Sequence, residues 1–209
     1  MRAAGITPSP ACVLARTPLA REIALVIRSS SPPHPLPKCA IFTVGHSVLP
    51  IADFISLLQA YAINHLADIR TVPRSRHNPQ FNSDALAPVL QASGIEYVHL
   101  RALGGLRHPR PDSPNSGWRH KSFRGYADYM QTQDFLQGLE QLIALGRGQR
   151  AVMMCAEAVP WRCHRSLVAD ALVVRGIAAI DILSEREARE HRLTPFAHVD
   201  GTRITYPPG

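Results

Sequence analysis

Short apolar runs alternate with segments of helical periodicity along most of this chain. Five runs have the length and composition of buried strands: 40–44, 66–69, 95–100, 151–155 and 177–183. Between them, apolar residues recur every three or four positions, which is typical of helices that pack one face on a core. Strands that alternate with helices indicate a parallel sheet covered on both faces. We therefore predict an α/β fold with three layers, a mostly parallel sheet of about five strands, and helices on both faces.

The helical segments have recognisable ends. Apolar spacing predicts helices at 51–58, at 86–90 with an end at Gly94, at 129–143 (one or two helices) with an end near Gly146, and at 163–175 with an end at Gly176. Residues 101–125 are rich in Gly, Pro and Arg and are predicted to form a long loop.

Residues 1–40 differ from the rest in composition. They contain seven prolines and only one acidic residue. Such a segment does not bury enough apolar surface to order itself. We expect a disordered N-terminal extension with no role in the chemistry, followed by a single α/β domain over residues 41–209.

Charge and cysteine content narrow the class of protein. The net charge is +7, of which residues 1–40 carry +4 and residues 70–124 carry +6, so the remainder is acidic. The basic character is thus confined to a tail and one stretch. No apolar run approaches the roughly 18 residues of a membrane span. Four cysteines in 209 residues do not suggest a disulfide framework. We expect a cytoplasmic protein with no membrane partner.

Polar side chains follow four of the predicted strands at their carboxyl ends. Strand by strand, they are Gly45-His46-Ser47, Asp68 with Arg70, His99 with Arg101, and Cys155 with Glu157. Because the carboxyl ends of parallel strands share one rim, these side chains are expected to converge. The sequence therefore predicts a ligand site at this rim.

The start of the last predicted helix adds a second group of reactive residues. Cys163, His164 and Arg165 stand where free backbone N–H groups and the helix dipole favour an anion. Cys163 could be a thiolate nucleophile there, and Arg165 could clamp a phosphate or carboxylate. The structural alternative is that Cys163 packs in the core and Arg165 is solvated.

Two residues are candidates for general acid–base catalysis. His46 lies in a Gly-His-Ser turn, and Glu157 follows Cys155 by two residues. The alternative for His46 is a packed side chain in a turn whose Ser47 caps the next helix, and the alternative for Glu157 is a structural ion pair. Cys155 is either another candidate nucleophile or a small buried hydrophobe.

The basic stretch at 70–124 favours an anionic ligand. Arg70 and Arg101, together with Arg165, are predicted to bind it, because each charge-assisted hydrogen bond contributes about 1.5–3 kcal/mol. Aromatic residues interleave with the predicted loop, where they either stack on bases or anchor the loop. A non-catalytic nucleic-acid-binding module that uses residues 101–126 is therefore an alternative function. Its aromatic residues are Trp118, Phe123 and Tyr126.

Metal and redox chemistry are further alternatives. Cys155, Cys163, His164 and His46 are suitable ligands, but their spacing is unlike that of a structural zinc site. Adjacent Cys163 and His164 are also expected to point in different directions on a helix. We predict no metal and assign no cofactor, and we keep a catalytic metal and a Cys155–Cys163 redox pair as alternatives. A phosphatase-type Cys-x5-Arg loop is excluded, because Arg162 is one residue too far from Cys155.

Several motifs occur in a fixed order along the chain. They are Thr43-Val44-Gly45-His46-Ser47, Asp68-Ile69-Arg70, Leu103-Gly104-Gly105, Tyr126-Ala127-Asp128-Tyr129-Met130, and Cys155-Ala156-Glu157 with Cys163-His164-Arg165. Together they resemble the bacterial family called domain of unknown function 488, over about residues 41–207. The resemblance implies an α/β fold but no established activity, so it assigns no catalytic roles.

The leading hypothesis is a cytoplasmic enzyme that acts on an anionic, phosphate-bearing substrate, such as a nucleotide or nucleic acid, at the carboxyl edge of the sheet. The predicted catalytic residues are His46, Cys155, Glu157 and Cys163. The predicted substrate contacts are Ser47, Asp68, Arg70, Arg101, His164 and Arg165.

Overall fold

A computed structural model describes residues 40–209 of the protein. The predicted N-terminal extension lies outside the described residues, apart from Ala40, which begins the first strand. In chain order the elements are β1 (Ala40–Gly45), α1 (Ile51–Ala60), β2 (His65–Asp68), α2 (Ser83–Ala92), β3 (Glu96–His99), α3 (Lys121–Tyr129), α4 (Gln133–Gly146), β4 (Ala151–Cys155), α5 (Arg165–Val173), β5 (Ala178–Ser184), β6 (Glu187–Glu190), β7 (His198–Asp200) and β8 (Arg203–Thr205). Short 3-10 turns lie at Pro79–Phe81, Arg101–Leu103 and Pro160–Arg162.

The central sheet has six strands in the order β3-β2-β4-β1-β5-β6. Strands β1 to β5 are parallel, and β6 pairs with β5 in the antiparallel direction. Strands β7 and β8 form a separate antiparallel pair. The predicted α/β class and the mostly parallel sheet are confirmed.

Helices cover both faces of the sheet. On one face, α1 and α2 pack through residues such as Phe54 and Leu86 against Phe42 and Val152. On the other face, α3, α4 and α5 pack on a second cluster that includes Met153 and both described cysteines. Each face of the central strands is therefore apolar, which explains why these strands read as continuous apolar runs in the sequence.

Three local predictions differ from the structure. The predicted loop at 101–125 ends earlier, because α3 already begins at Lys121. The last predicted helix begins at Arg165, so Cys163 and His164 precede it. Ser47 does not cap α1, since Pro50 occupies the N-cap position and no side chain caps that end. Among residues 40–209, no helix combines the length and the apolar character needed to cross a membrane.

Candidate functional site

The site lies where the direction of chain connections reverses in the sheet. From β1 the chain passes through α1 on one face to β2, and from β4 it passes through α5 on the opposite face to β5. Strands β1 and β4 are neighbours, and their last paired residues are Gly45 and Cys155. In open α/β sheets, a crevice forms outside the carboxyl ends of two such strands, and ligands bind in it.

A cleft of about 620 Å³ occupies this position. Its volume falls in the range of roughly 300–1,000 Å³ that is usual for small-molecule sites. The loops that follow β1, β2, β3 and β4 all contribute to its wall. The lining residues are His46, Ser47, Val48, Arg70, Thr71, Val72, Arg74, Ser75, Asn78, Gly105, Leu106, Cys155, Ala156, Glu157 and His164.

Two sulfur atoms and an imidazole lie close together at the floor of the cleft and directly behind it. The His164 Nδ1 atom lies 3.8 Å from Cys155 Sγ and 3.7 Å from Cys163 Sγ. The other ring nitrogen, Nε2, lies 3.2 Å from the carbonyl oxygen of Ile69. Because a carbonyl oxygen only accepts, Nε2 carries the hydrogen of this bond. Cys155 and Cys163 are buried, and both are free thiols.

The two neighbouring thiols differ in pKa because of their interactions with each other and with their surroundings. Hydrogen bonding by the Cys163 thiol lowers the pKa of Cys155 well below its usual value, although burial opposes this shift; the neighbouring His164 imidazole lowers it further. The same hydrogen bond, together with burial, raises the pKa of Cys163. The more acidic sulfur is therefore the one that lines the cleft.

A buried ion pair supports the wall opposite these sulfurs. Arg70 donates to both oxygens of Asp68, from Nε to Oδ1 at 2.9 Å and from Nη2 to Oδ2 at 2.5 Å. Tyr97 Oη donates to Asp68 Oδ2 at 2.9 Å. Burial by itself would lower the pKa of Arg70, but the bonds and charge of Asp68 outweigh it and raise that pKa. The Arg70 charge is thus largely neutralised by a carboxylate beneath the cleft.

The remaining Arg70 nitrogen holds His46. Arg70 Nη1 lies 3.3 Å from His46 Nε2, and His46 Nδ1 lies 2.9 Å from the Ser47 carbonyl oxygen. His46 is therefore the tautomer that donates from Nδ1, and its Nε2 lone pair accepts from Arg70. Burial lowers the pKa of His46, and its ring stacks on Phe81 with a centroid distance of 4.0 Å. This geometry favours a positioning role for His46 over that of a general base.

Unusual backbone conformations and exposed apolar side chains cluster at the cleft. Ser47 and Leu106 have φ angles of +47° and +60°, in the left-handed region that costs a non-glycine residue energy. Leu106 is 79% exposed, and Val48 and Val72 are 76% and 60% exposed. An apolar rim of this kind is typical of a surface that meets a ligand.

Two glycines allow the loops to approach closely. A Cβ atom at Gly45 would lie 1.8 Å from the Glu157 carbonyl oxygen, and one at Gly105 would lie 2.9 Å from His164 Nδ1. The β1 loop can therefore pass over the β4 loop only at a glycine. A side chain at position 105 would force the His164 ring to shift.

The structure brings most of the predicted site residues to this cleft. Its lining includes six of them: His46, Ser47, Arg70, Cys155, Glu157 and His164. Cys163 lies behind Cys155, and Asp68 lies beneath Arg70 with no exposed surface. Neither of these two residues lines the cleft.

Two of the arginines predicted to bind the anion are not placed for that role. Arg101 is exposed in the turn after β3 and does not line the cleft. Arg165 has no exposed surface, and its guanidinium donates to the carbonyl oxygens of Glu157 and Ala158. Arg165 is therefore neither solvated nor aimed at a ligand, because it holds the loop after β4 in shape.

Arg74 and Asn78 line the cleft, although they were not predicted as site residues. Arg74 is exposed, and its nearest carboxylate is that of Asp84, at 3.8 Å. The polar loop that follows Arg70 in the sequence was the only signal that could have indicated them. Thr71 Oγ1 donates to the Gly105 carbonyl oxygen at 2.7 Å, which ties this loop to the loop that follows β3.

The aromatic residues of 101–126 anchor the chain. The Trp118 ring packs on Phe123, Phe196 and Tyr206 at centroid distances of 4.7, 4.9 and 5.5 Å. Tyr126 is buried and donates to the Leu103 carbonyl oxygen. These contacts support the loop-anchoring alternative over base stacking.

Arginines of the same stretch also have intramolecular partners. Arg107 stacks over the Tyr129 ring at 3.5 Å, and Arg110 pairs with Asp112. Arg124 donates to the Trp118 carbonyl oxygen. Three arginines of the basic stretch that suggested a nucleic-acid-binding surface are thus engaged in contacts within the fold.

A second cleft of about 920 Å³ lies near the end of the chain, lined by residues that include Trp161, Asp181, His191 and Phe196. The imidazole of His191 in this cleft is already engaged by two carboxylates. His191 lies 2.8 Å from Asp170 and 3.5 Å from Asp181. The first cleft therefore offers more groups for chemistry, although it is the smaller one.

The fold and the cleft define an α/β protein with a candidate ligand site at the point where its sheet reverses direction. The chain belongs to the family described as domain of unknown function DUF488, whose model matches residues 50–172. This match includes Asp68, Arg70 and the whole segment from Cys155 to Arg165, so the predicted family is confirmed. No curated protein and no solved structure matches the chain.

Proposed function

We propose that this protein is an enzyme that acts on a small phosphate-bearing substrate in the cleft between β1 and β4. One observation carries the proposal: three loops deliver six chemically active residues to a single cleft at the reversal point of the sheet, with a sulfur at its floor. Residues of those types at such a position are typical of an active site.

Arg74 is the group that attracts the anion. Arg70 is committed to Asp68, whereas Arg74 is exposed and has a carboxylate only at 3.8 Å. An exposed pair at that distance contributes little, so a ligand phosphate competes with Asp84 at small cost. Ser75 and Asn78 line the cleft beside Arg74 and supply neutral hydrogen-bonding groups.

The apolar rim selects the rest of the substrate. Val48, Val72 and Leu106 offer exposed apolar surface at the mouth of the cleft that holds Arg74. A nucleotide combines a phosphate with a flat ring that such a surface can cover. Nucleotides are therefore the substrate class that we propose.

The reacting groups lie on the β4 loop. Cys155 presents its sulfur at the cleft floor, with His164 beside it and Cys163 behind it. Among the described residues that line the cleft, Glu157 is the one that carries a carboxylate, and it is exposed. It serves as the general acid–base, while His46 and Asp68 hold Arg70 in place.

Ligand binding tests the proposal. The full chain is titrated with AMP, ADP, inorganic phosphate and, as a neutral comparison, adenosine, and the shift in melting temperature and the heat of binding are measured. We expect AMP or ADP to bind, and adenosine to bind more weakly. Arg74→Ala removes one charge-assisted contact and should weaken nucleotide binding by about 10–100-fold.

Arg76→Ala is the matched control, because Arg76 is exposed on the same loop but does not line the cleft. It should leave nucleotide affinity unchanged. Turnover is then sought on nucleotides and on phosphate mono- and diesters with the wild type, Cys155→Ala and Glu157→Gln. The proposal fails if phosphate compounds do not bind, or if Arg74→Ala and Arg76→Ala have the same nucleotide affinity. It also fails if Cys155→Ala and Glu157→Gln both keep the turnover of the wild type.

A further inference from the structure

We infer that Cys155, Cys163 and His164 form a binding site for a thiophilic divalent cation of the Zn²⁺ class. Their ligand atoms, two Sγ and one Nδ1, all lie within 4.8 Å of one another. This inference deepens the proposed function and rests on it, because it names the cofactor of the same cleft. It replaces the prediction that no metal is bound.

The distances suit one ion between three ligands. A zinc ion binds sulfur at about 2.3 Å and histidine nitrogen at about 2.0–2.1 Å, so a tetrahedral site separates sulfur from nitrogen by about 3.6 Å. The two observed sulfur–nitrogen distances are 3.8 Å and 3.7 Å. The predicted helix at 163–175 disfavoured such a site, because the side chains of adjacent residues on a helix point in different directions. Here Cys163 and His164 precede α5, so their side chains can converge.

The imidazole is oriented for metal binding. His164 Nε2 donates to the Ile69 carbonyl oxygen at 3.2 Å, which turns Nδ1 toward both sulfurs. Metal-binding histidines almost always make such a bond with the second ring nitrogen, because it fixes the tautomer and the ring plane. Ile69 follows β2 and its N–H donates to the Met154 carbonyl oxygen, so the sheet itself holds this acceptor.

Burial and charge support the same assignment. Cys155 and Cys163 have 7% and 3% of their surface exposed, and two buried thiolates are stabilised when a divalent cation neutralises them. Gly105 leaves room for the His164 ring, since a Cβ there would lie 2.9 Å from Nδ1. A Cys2His set of protein ligands is one that catalytic zinc uses, with a fourth position left for water or substrate.

The fourth position would lie on the cleft side. Cys155 and His164 line the cleft, whereas Cys163 lies behind them. His46 is not a fourth ligand, because both of its ring nitrogens already have partners. A bound cation of this class supplies a Lewis acid and lowers the pKa of a bound water.

Cobalt binding tests the inference. The full chain is purified without a histidine tag, stripped with a chelator under a reductant, and titrated with Co²⁺ alone. We expect one Co²⁺ per chain, with the visible bands of tetrahedral cobalt, a sulfur-to-cobalt charge-transfer band, and displacement by Zn²⁺. Cys155→Ser, Cys163→Ser and His164→Asn should each weaken Co²⁺ binding by more than about 100-fold, beyond the effect of losing an outer partner.

The remaining cysteines provide the matched control. A Cys12→Ser, Cys39→Ser double variant should keep the stoichiometry and the spectrum of the wild type. Circular dichroism of every variant identifies any that fails to fold, and Gly105→Ala is a further variant that should weaken Co²⁺ binding by displacing His164 while both thiols are kept.

The outcomes distinguish a failure of the metal site from a failure of the proposed function. Folded protein that binds no Co²⁺, or whose Cys155 and Cys163 form a disulfide in place of binding it, overturns the metal site. Nucleotide binding that depends on Arg74 would then still support the proposed function with Cys155 as a thiol nucleophile. Conversely, stoichiometric Co²⁺ without any binding of phosphate compounds supports the metal site and overturns the proposed function.

Discussion

Arg70 and Asp68 form a buried pair in which two parallel hydrogen bonds join the guanidinium to the carboxylate, at 2.9 Å and 2.5 Å. Asp68 ends β2, and Arg70 stands two residues later, so the pair closes over the end of the strand. Through Nη1, Arg70 also contacts His46 on the neighbouring loop. The shape of this cleft wall thus depends on the Asp68 carboxylate, which is fully buried.

Removing the Asp68 charge should destabilise the protein strongly. In Asp68→Asn, the buried Arg70 loses its counter-ion, and breaking one side of a buried pair costs about 3–5 kcal/mol. Urea denaturation measures this as a loss in the free energy of unfolding. Asp112→Asn is the control, because Arg110 and Asp112 repeat the same spacing and geometry with side chains 63% and 68% exposed. That change should reduce the free energy of unfolding far less than Asp68→Asn does, because an exposed ion pair contributes little. Equal losses for the two variants would contradict the structural role of Asp68.

His191 makes the stability depend on pH. It lies between Asp170 and Asp181; burial alone would lower its pKa, but the two carboxylates raise it from 6.5 to about 9. Because the folded-state pKa is above the unfolded one, this stabilisation is complete below about pH 6.5 and is lost as the pH rises through about 9. The loss amounts to at most about 3 kcal/mol.

The difference between the wild type and His191→Gln isolates this contribution. We expect the difference in the free energy of unfolding to shrink between pH 6.5 and pH 9. His198→Gln, at an exposed position, should run parallel to the wild type. A constant difference across this range would show that His191 does not gain a proton on folding.

The strands and helices were predictable because burial imposes a pattern on the sequence. Strand β4 runs as Ala-Val-Met-Met-Cys, which is buried at every position, and its predicted bounds agree with the structure. Strand β6 runs as Glu-Ala-Arg-Glu at the edge of the sheet and is mostly exposed. An edge strand with polar side chains leaves no apolar run, so β6 was not predicted.

The candidate site could be located from the sequence more easily than its contacts. Parallel strands place their carboxyl ends on one edge, and that rule alone gathers His46, Arg70 and Cys155. It does not reveal that Arg70 turns inward to Asp68, or that Arg165 bonds to two carbonyl oxygens. Side-chain direction depends on which acceptors the loops present, and loop backbones carry no periodic pattern.

Substitution of Arg165 should therefore lower the stability of the fold, with no direct effect on ligand binding. Arg165→Met leaves the carbonyl oxygens of Glu157 and Ala158 without their buried donor, and each unmet group costs about 1–3 kcal/mol. We expect a loss of about 2–6 kcal/mol in the free energy of unfolding. Arg162→Met, at an exposed position on the same loop, should change it by less than about 0.5 kcal/mol. If Arg165→Met kept full stability and lost only anion binding, the original assignment of Arg165 to the substrate would be restored.

The two tryptophans distinguish a structural loop from a nucleic-acid platform. Trp118 packs against three aromatic rings, so Trp118→Ala should cost about 3 kcal/mol in the free energy of unfolding. Trp161 is 67% exposed, so Trp161→Ala should cost less than about 0.5 kcal/mol. In Trp161→Ala, whose tryptophan fluorescence reports Trp118 alone, single-stranded DNA at low salt should cause no quenching, because three aromatic contacts already hold the half-buried Trp118 ring. A stable Trp118→Ala variant with weakened, salt-dependent DNA binding would instead identify residues 101–126 as a nucleic-acid-binding surface.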